Sequence, residues 1–397
     1  VSKDLPETIM TTFSLEQSRD ASAKQIHPLN TFLTEYKEIN EGNKYRPVAV
    51  GRYGIRKRES IYSKELAKDY SKNKLIHENT LTVGMGSSQI DIGILTDEIT
   101  YSVSPAYHTY KVRGIDATYL RYCLECRNQD MFVRYVKKGS RQGKTIDFKR
   151  WLQYEIPVWN DEVQSKIVSN LDYVSSLIER VSEQVTLLDS LVKSRFVEMF
   201  GDPIDDKIWP CVTLAELCTK LGSGATPRGG KSAYKTEGIP LIRSMNVHNG
   251  RFVWKDLAYI DDDQAAKLNG VTLMKGDVLL NITGASVARS CILPDELAGG
   301  RVNQHVSIVR VDQTKMLPVI LNTALISDSY QRFLLNGSRM AGATREAITK
   351  EDLKNMTVPL PPLSLQQQFA NFAVQVDKLR FEACYAMYLL CAAFTLL

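Results

Sequence analysis

What the chain lacks limits its chemistry first. It has no Asp/Asn-Pro-Pro-Tyr/Phe motif for methyl transfer to an amino group, no Gly-x-Gly-x-x-Gly turn and no His-Glu-x-x-His zinc motif. Histidine is scarce, with His27, His77, His108, His248 and His305 making the full set of five. They form no recognisable acid–base or Ser-His-Asp arrangement. His248 and His305 suit hydrogen bonds to nucleic acid, and His108 suits a packed strand. The seven cysteines (Cys123, Cys126, Cys211, Cys218, Cys291, Cys384, Cys391) are scattered and odd in number. No secretory signal precedes them, so a reduced, cytoplasmic protein is expected. Cys123-x-x-Cys126 lacks the second pair that a structural zinc site needs, so no metal is expected there. The pair reads better as part of a helix, "TYLRYCLECRNQ". Long apolar runs are also missing, and "CYAMYLLCAAFTLL" is too short to span a bilayer. Apolar residues at 44% and charged residues at 24% exclude wholesale disorder, and 397 residues allow two or three domains.

Net charge is small, +5, but it is unevenly spread. Lys44 to Arg58, "KYRPVAVGRYGIRKR", holds six basic residues and no acid. Arg134 to Arg150 holds seven basic residues and one acid, Asp147. Aromatic residues lie between them (Tyr45, Tyr53, Tyr135, Phe148). That pattern suits a polyanion, and it is equally compatible with two solvated loops. Within the second stretch, "GSRQGKT" from Gly139 resembles a nucleotide phosphate loop. Three residues separate Gly139 from Gly143 where that loop needs four. A nucleotide hydrolase is therefore disfavoured.

The triplet Gly-Ser-Arg recurs at Gly337, and its surroundings recur with it. "YSVSPAYHTYKV" from Tyr101 lines up with "GRVNQHVSIVRV" from Gly300, both alternating like strands. "LTVGMGSS" from Leu81 resembles "LLNITGAS" from Leu279, and "TIDFKRWLQYEIPVWNDEVQ" resembles "AITKEDLKNMTVPLPPLSLQ". The second triplet copy, "GSRMAGATRE", has no Lys-Thr, so what repeats is a Gly-Ser-Arg turn beside basic residues. Each copy is followed by a long helical pattern. The first helix is expected to end at Gly201-Asp202-Pro203, and the second to start after Pro361-Pro362 with Ser364 as N-cap. The domains expected are residues 1–158 (first globular unit), 159–202 (first helical region), 203–362 (second globular unit) and 363–397 (second helical region). Heptad steps run through Ile167, Leu171, Val174, Ile178, Val181, Val185, Leu188 and Val192, and through Phe369, Phe372, Val376 and Leu379. Such seams need partner helices. The fold class is therefore mixed α and β (α/β, α+β): two similar globular domains separated and joined by two long helices in an antiparallel coiled coil, with an internal pseudo-twofold repeat. Two reading units on a spacer suit a linear polymer such as DNA.

Several phrases, in order along the whole chain, resemble specificity subunits of type I restriction–modification systems. They are "SRFVEMFGDP" (Ser194–Pro203), "LGSGATPRGGKSAY" (Leu221–Tyr234) followed by "GIPLIRSMNV", "KGDVLLNITGASVAR" (Lys275–Arg289) and "VPLPPLSLQQQF" (Val358–Phe369). In the first unit the last phrase is eroded to "IPVWNDEVQ". The residues before Ala23 have no counterpart in the second unit, and the last turns are apolar on nearly all faces. The resemblance implies a cytoplasmic bacterial or archaeal protein of phage defence. Two target recognition domains each read half of a bipartite double-stranded DNA target. The helices act as spacer and dock modification (methyltransferase) subunits, and a restriction (translocase and nuclease) subunit joins the complex. The chain itself would catalyse nothing and carry no cofactor. S-adenosylmethionine, ATP and Mg would belong to the partners, which methylate adenine and restrict. A non-catalytic coiled-coil scaffold is the remaining alternative.

Arg and Lys neutralise phosphates, and Arg, Asn, Gln and His reach base edges. The DNA-binding candidates in the first unit are Arg52, Arg56, Lys57, Arg58, Lys137, Lys138, Arg141 and Lys144. In the second they are Arg228, Lys231, Arg243, Asn246, Arg289, Asn303, Gln304, His305, Arg339 and Arg345. The loops around Arg141 and Arg339 are the leading candidates for phosphate contact, because both units keep the triplet.

Overall fold

The computed structural model describes residues 24–52, 54–62, 69–138, 143–227, 230–340 and 347–396. The chain divides into two compact units. One comprises residues up to Arg180 together with Ala386–Leu397, and the other Val181–Tyr385.

The first unit runs β1 (Gln25–Pro28), β2 (Leu33–Glu35), β3 (Val48–Gly51), β4 (Gly54–Lys57), β5 (Lys74–Ile76), β6 (Thr80–Met85), β7 (Ile90–Leu95), β8 (Tyr101–Val103), β9 (His108–Val112). Then come α1 (Ala117–Cys126), α2 (Asn128–Tyr135), β10 (Val136–Lys138), β11 (Lys144–Ile146), α3 (Phe148–Trp151), β12 (Glu155–Val158) and the start of α4 (Asp161–Phe200). Its main sheet is antiparallel in the order β2-β9-β6-β7. Alternation along β7 sends Ile90, Ile92 and Ile94 into one core with Leu81, Val83, Tyr110 and Trp151. The opposite face of β7, through Leu95, packs on Val48 and Val50 of the β3–β4 hairpin. Helix α1 starts where the Asp116 carboxylate accepts the Tyr119 N–H at 2.7 Å. As expected, it holds both Cys123, buried, and Cys126, exposed.

The second unit runs β13 (Cys211–Thr213), α5 (Leu214–Leu217), β14 (Cys218–Ser223), β15 (Ile239–Ile242), β16 (Val247–His248), β17 (Arg251–Phe252), β18 (Ala258–Ile260), α6 (Asp262–Ala266), β19 (Val278–Asn281) and β20 (Ser290–Ile292). It continues with β21 (Arg301–Val302), β22 (Val306–Val311), α7 (Pro318–Leu325), α8 (Asp328–Met340), α9 (Lys350–Asn355), β23 (Thr357–Pro359) and α10 (Leu363–Leu396). The main sheet has the order β14-β22-β19-β20, the same arrangement as in the first unit.

The repeat holds at the level of residue pairing. Leu81 faces Ile94 and Val83 faces His108 in the first sheet. Val278 faces Ile292 and Asn281 faces Val306 in the second, so the pairings recur with shifts of 197 and 198 positions. The small hairpins match as well: Val50 faces Ile55 as Val247 faces Phe252. The matched pairs face the same way, Leu81 and Ile94 into the core under α1 and Val278 and Ile292 into the core under α7.

Each unit is mounted on its long helix by a buried glutamine in the helix's first turn. Gln164, 2% exposed, donates to the Trp159 carbonyl at 2.7 Å and accepts from the Asp116 N–H at 3.2 Å. Gln366, 0% exposed, donates to the Pro361 and Lys315 carbonyls at 2.8 and 2.9 Å and accepts from the Leu317 N–H at 2.8 Å. Both ties reach the entrance of the helix that follows the sheet, α1 in one unit and α7 in the other.

The first helix ends at Phe200 as expected, with Gly201 at φ +76° and its N–H on the Val197 carbonyl at 2.8 Å. Along it, from Val181 to Val192 only Val181, Val185, Leu188 and Val192 are half-buried, and Leu171 is buried. Within the second unit the two helices run antiparallel. Phe369 packs edge-on against Phe196 and Phe200 at 5.5 and 5.7 Å, and Arg380 reaches Asp189 at 3.0 Å. Three expectations are corrected. Leu379 is 53% exposed, and the seam position after Val376 goes to Arg380, which also pairs with Asp377 at 2.6 Å. Helix α10 begins at Leu363, so Ser364 is inside the first turn, and the Pro362 carbonyl takes the Leu365 and Gln366 N–H groups. Finally, Gly337-Ser338-Arg339 lies in α8 rather than in a turn.

Candidate nucleic-acid interface

In the first unit the basic candidates sit on two hairpins. Arg52, Arg56 and Lys57 are exposed on the β3–β4 hairpin. Arg58 follows, half-buried, with its guanidinium over the Tyr70 ring at 5.5 Å. On the β10–β11 hairpin, Lys137 is held by Asp147 at 2.7 Å. Lys138 faces Lys144 in register, though its side chain lies outside the described ones. Lys144 donates to the Ser87 carbonyl at 2.8 Å and lies over the Phe132 ring at 5.0 Å. That bond ties the second hairpin to the turn between β6 and β7. Arg141 lies outside the described residues.

In the second unit, Arg289, Gln304 and His305 come together. With Ser244, Met245, Thr283, Gly284, Ala285, Ser286 and Ala347 they line an open cleft of about 720 Å³. Its walls are the turn after β15, the loop from β19 to β20 and the loop before β22. The His305 Nδ1 and Thr283 Oγ1 lie 2.5 Å apart, and the Gln304 amide lies 3.2 Å from His305 Nε2 and also bonds the Thr226 hydroxyl. Asn281 joins two of the walls. Its amide donates to the Ser244 carbonyl at 2.9 Å and to the Ser286 hydroxyl at 3.2 Å. Beside the cleft, burial pushes the His248 imidazole below its ordinary value, and the Arg289 and Arg251 guanidinium charges add to the effect.

Two candidates are corrected by burial. Asn246 is fully buried and donates to the Val253 and Lys255 carbonyls at 2.9 and 3.2 Å. Asn303 is 5% exposed and accepts the His305 N–H at 3.0 Å. Both build turns from inside. Arg243 is half-buried, bonded to the Asp256 carbonyl and stacked on Tyr234 at 5.2 Å. Lys231 lies in a short 3₁₀ turn and Arg339 in α8, with their side chains outside the described ones. Arg228 and Arg345 lie outside the described residues.

Sequence reasoning missed Asp91, since it searched for basic residues. Asp91 is the register equivalent of Arg289, and the aligned phrases from Leu81 and Leu279 carry the signal. It is half-buried, and burial raises its carboxyl above the ordinary range. Also missed was Arg251, the register equivalent of Gly54. Among the described residues no group of three or more His, Cys, Asp or Glu side chains could hold a metal ion. No described helix is long and apolar enough to cross a membrane.

Residues 207–383 match the family of the type I restriction modification DNA specificity domain. This segment is a type I restriction modification DNA specificity domain, and the curated relatives of the chain are type I specificity subunits. Among curated relatives of this family, the MjaVIII specificity subunit of Methanocaldococcus jannaschii is 22% identical over 335 residues, covering 81% of this chain and 77% of that one. The EcoBI specificity subunit of Escherichia coli is 26% identical over 142 residues, 35% of this chain and 29% of its own. The fold of a type I specificity subunit from M. genitalium aligns over 96% of this chain and 97% of that chain, with TM-score 0.52 and 14% identity. A chain from a study of complex assembly and conformational transition in a type I system aligns over 94% and 96%, with TM-score 0.53 and 16% identity. The architecture of two sheet-bearing units and two long helices is that of specificity subunits. The function that goes with the family is recognition of a DNA target.

Proposed function

We propose that this specificity subunit recognises a bipartite double-stranded DNA target, one half in each unit, and directs partner subunits without catalysing a step itself. The observation that carries this reading is the repeat: two sheets with one strand order, each bearing its own polar and basic rim. Two similar readers in one chain call for two half-targets. Arg52, Arg56, Lys57, Arg58, Lys137, Lys138, Arg141 and Lys144 in one unit, and Arg228, Lys231, Arg243, Arg289, Gln304, His305, Arg339 and Arg345 in the other, are the proposed DNA contacts. Modification subunits methylate adenine and a restriction subunit translocates and cleaves. S-adenosylmethionine, ATP and Mg belong to those partners. The setting is the cytoplasm of a bacterium or archaeon.

The test is to combine the chain with its modification subunit and map methylated adenines. The expected result is a split target with an unread spacer. One continuous target, or methylation without sequence preference, overturns the reading. The helices are proposed to set the spacer. One added heptad in each helix is about 10 Å, or about three base pairs, so the unread spacer should change by that much. A passive scaffold predicts no DNA binding that weakens with salt, and a gel shift at low and high salt separates it from a reader.

A further inference from the structure

The two units share one strand order around the mouth of the main sheet, yet they differ there in charge. Asp91 on β7 and Arg289 just before β20 are register equivalents: each lies three residues before an isoleucine, Ile94 or Ile292, that pairs across the sheet with Leu81 or Val278 on the helix-covered face. Both leave the same face of the sheet, the one covered by the small hairpin (β3–β4 or β16–β17). Neither has a hydrogen-bond or ion-pair partner among the described residues. Arg289 lines the cleft beside Met245, Ser286 and Gln304. The Asp91 carboxylate lies against Gly86, where an added Cβ would come within 2.5 Å of its oxygen. Any larger residue at that turn would displace it.

The backbone in front of each charged residue is held by a side-chain amide from the helix behind it. Asn128, at the start of α2, accepts the Ile90 N–H at 3.0 Å and donates to the Ile90 carbonyl at 2.9 Å. Gln331, on α8, donates to the Ala288 carbonyl at 2.8 Å, and the Ala288 N–H donates to the Asn281 carbonyl at 2.8 Å. Ala288 sits at φ +71°, a left-handed conformation that a residue with a Cβ adopts at a cost. The fold thus fixes the direction of residues 91 and 289, and among the described residues their charged ends have no partner. Preorganisation of that kind suits contact with something outside the chain.

We infer that positions 91 and 289 are the matched specificity-determining positions of the two units, Arg289 reading a guanine and Asp91 a cytosine. The chemistry follows from the donor and acceptor pattern of the major groove. A guanidinium donates twice, to guanine O6 and N7, and a carboxylate accepts from the cytosine exocyclic amine. One position in one scaffold then reads opposite chemistry in the two half-targets. This inference rests on the reading of the chain as a bipartite DNA reader.

The test uses the full chain in complex with its modification subunit, and compares methylated-adenine motifs for the native chain, Arg289→Ala and Asp91→Ala. The native motif should contain a fixed G·C pair in each half. Arg289→Ala should relax that pair in one half only, and Asp91→Ala in the other half only. Each loss corresponds to a roughly five- to 150-fold drop in base preference. Where an alanine variant methylates too little to map, binding of the complex to duplexes bearing each base pair at that position gives the same quantity. A preference that flattens supports the inference, and an unchanged preference overturns it. A split native motif without such G·C pairs, or variants that alter both halves together, also overturns it while leaving the bipartite reading intact. A native chain with no split target overturns the bipartite reading, and this inference with it.

Discussion

Replacing Gln366 by leucine tests how firmly the second unit is mounted on its helix. The side chain is fully buried and makes three hydrogen bonds, all to backbone: Leu317 N–H, Lys315 carbonyl and Pro361 carbonyl. Leucine fills similar space and makes none. At about 1 kcal/mol net for each bond, the expected loss is about 3 kcal/mol, and more where a buried group stays unpaired. For a unit of about 200 residues this lowers the melting temperature by about 6–12 °C. The equivalent Gln164→Leu removes two bonds, one of them long at 3.2 Å, and should cost about 2 kcal/mol or less. The two sites share no partner, so the double variant should be additive. Differential scanning calorimetry measures all three. A Gln366→Leu melting point within about 1 °C of the native one, or a larger loss from Gln164→Leu, would refute the reasoning.

Phe369→Ala should cost about 3–5 kcal/mol in chemical denaturation, because the ring is fully buried between Phe196 and Phe200. By contrast Arg380→Ala, which breaks a half-exposed pair with Asp189, should cost at most about 1 kcal/mol. Arg310→Ala should cost about 3–5 kcal/mol, because Asp277 is fully buried and depends on a two-pronged pair at 2.6 and 2.8 Å. Burial raises the Asp91 carboxyl, so the folded protein holds this proton to higher pH than the unfolded chain does. Its contribution is neutral below the unfolded carboxyl range and becomes destabilising as pH rises through the folded value. Asp91→Asn should therefore raise the melting temperature at pH 7 and leave it unchanged near pH 3. A gain of equal size at both pH values would count against this assignment.

The large features were legible because they are periodic. The heptad steps from Val181 to Val192 describe the half-buried stripe of α4, and the repeated phrases describe one strand order, though Leu81 corresponds in pairing to Val278 rather than to Leu279. The errors came where chemistry alone had to indicate exposure. Asn246 and Asn303 look like surface amides, yet each closes a turn with its own side chain, an alternative that short polar residues always offer. Leu379 fits a heptad as well as Arg380 does, since three- and four-residue steps both stay on a helix face. The Asp189 and Asp377 carboxylates draw Arg380 inward instead. The Gly-Ser-Arg triplet marked the repeat usefully but misled about shape. Three residues carry too little information to separate a turn from the end of α8, and its first copy lies outside the described residues.

The comparison of the two units separates the parts that build the scaffold from the parts that face outward. Both units keep a glutamine in the first turn of the long helix, a side-chain amide clamp on residue 90 or 288, and the hairpin over the same sheet face. The glutamines are buried and the clamps half-buried, and all are hydrogen-bonded to backbone, so their replacement disturbs the fold. At positions 91 and 289 the charge reverses while the surrounding backbone keeps its register. No contact among the described residues explains either charge. Asp91 is half-buried with no ion-pair partner among the described residues, which makes folding less favourable, and burial of a carboxylate is tolerated only where some other requirement keeps it. A scaffold selected for stability alone would carry a neutral residue there. The requirement must then come from what the sheet mouth meets outside the chain, and opposite charges at one register position mean that the two mouths meet different chemistry.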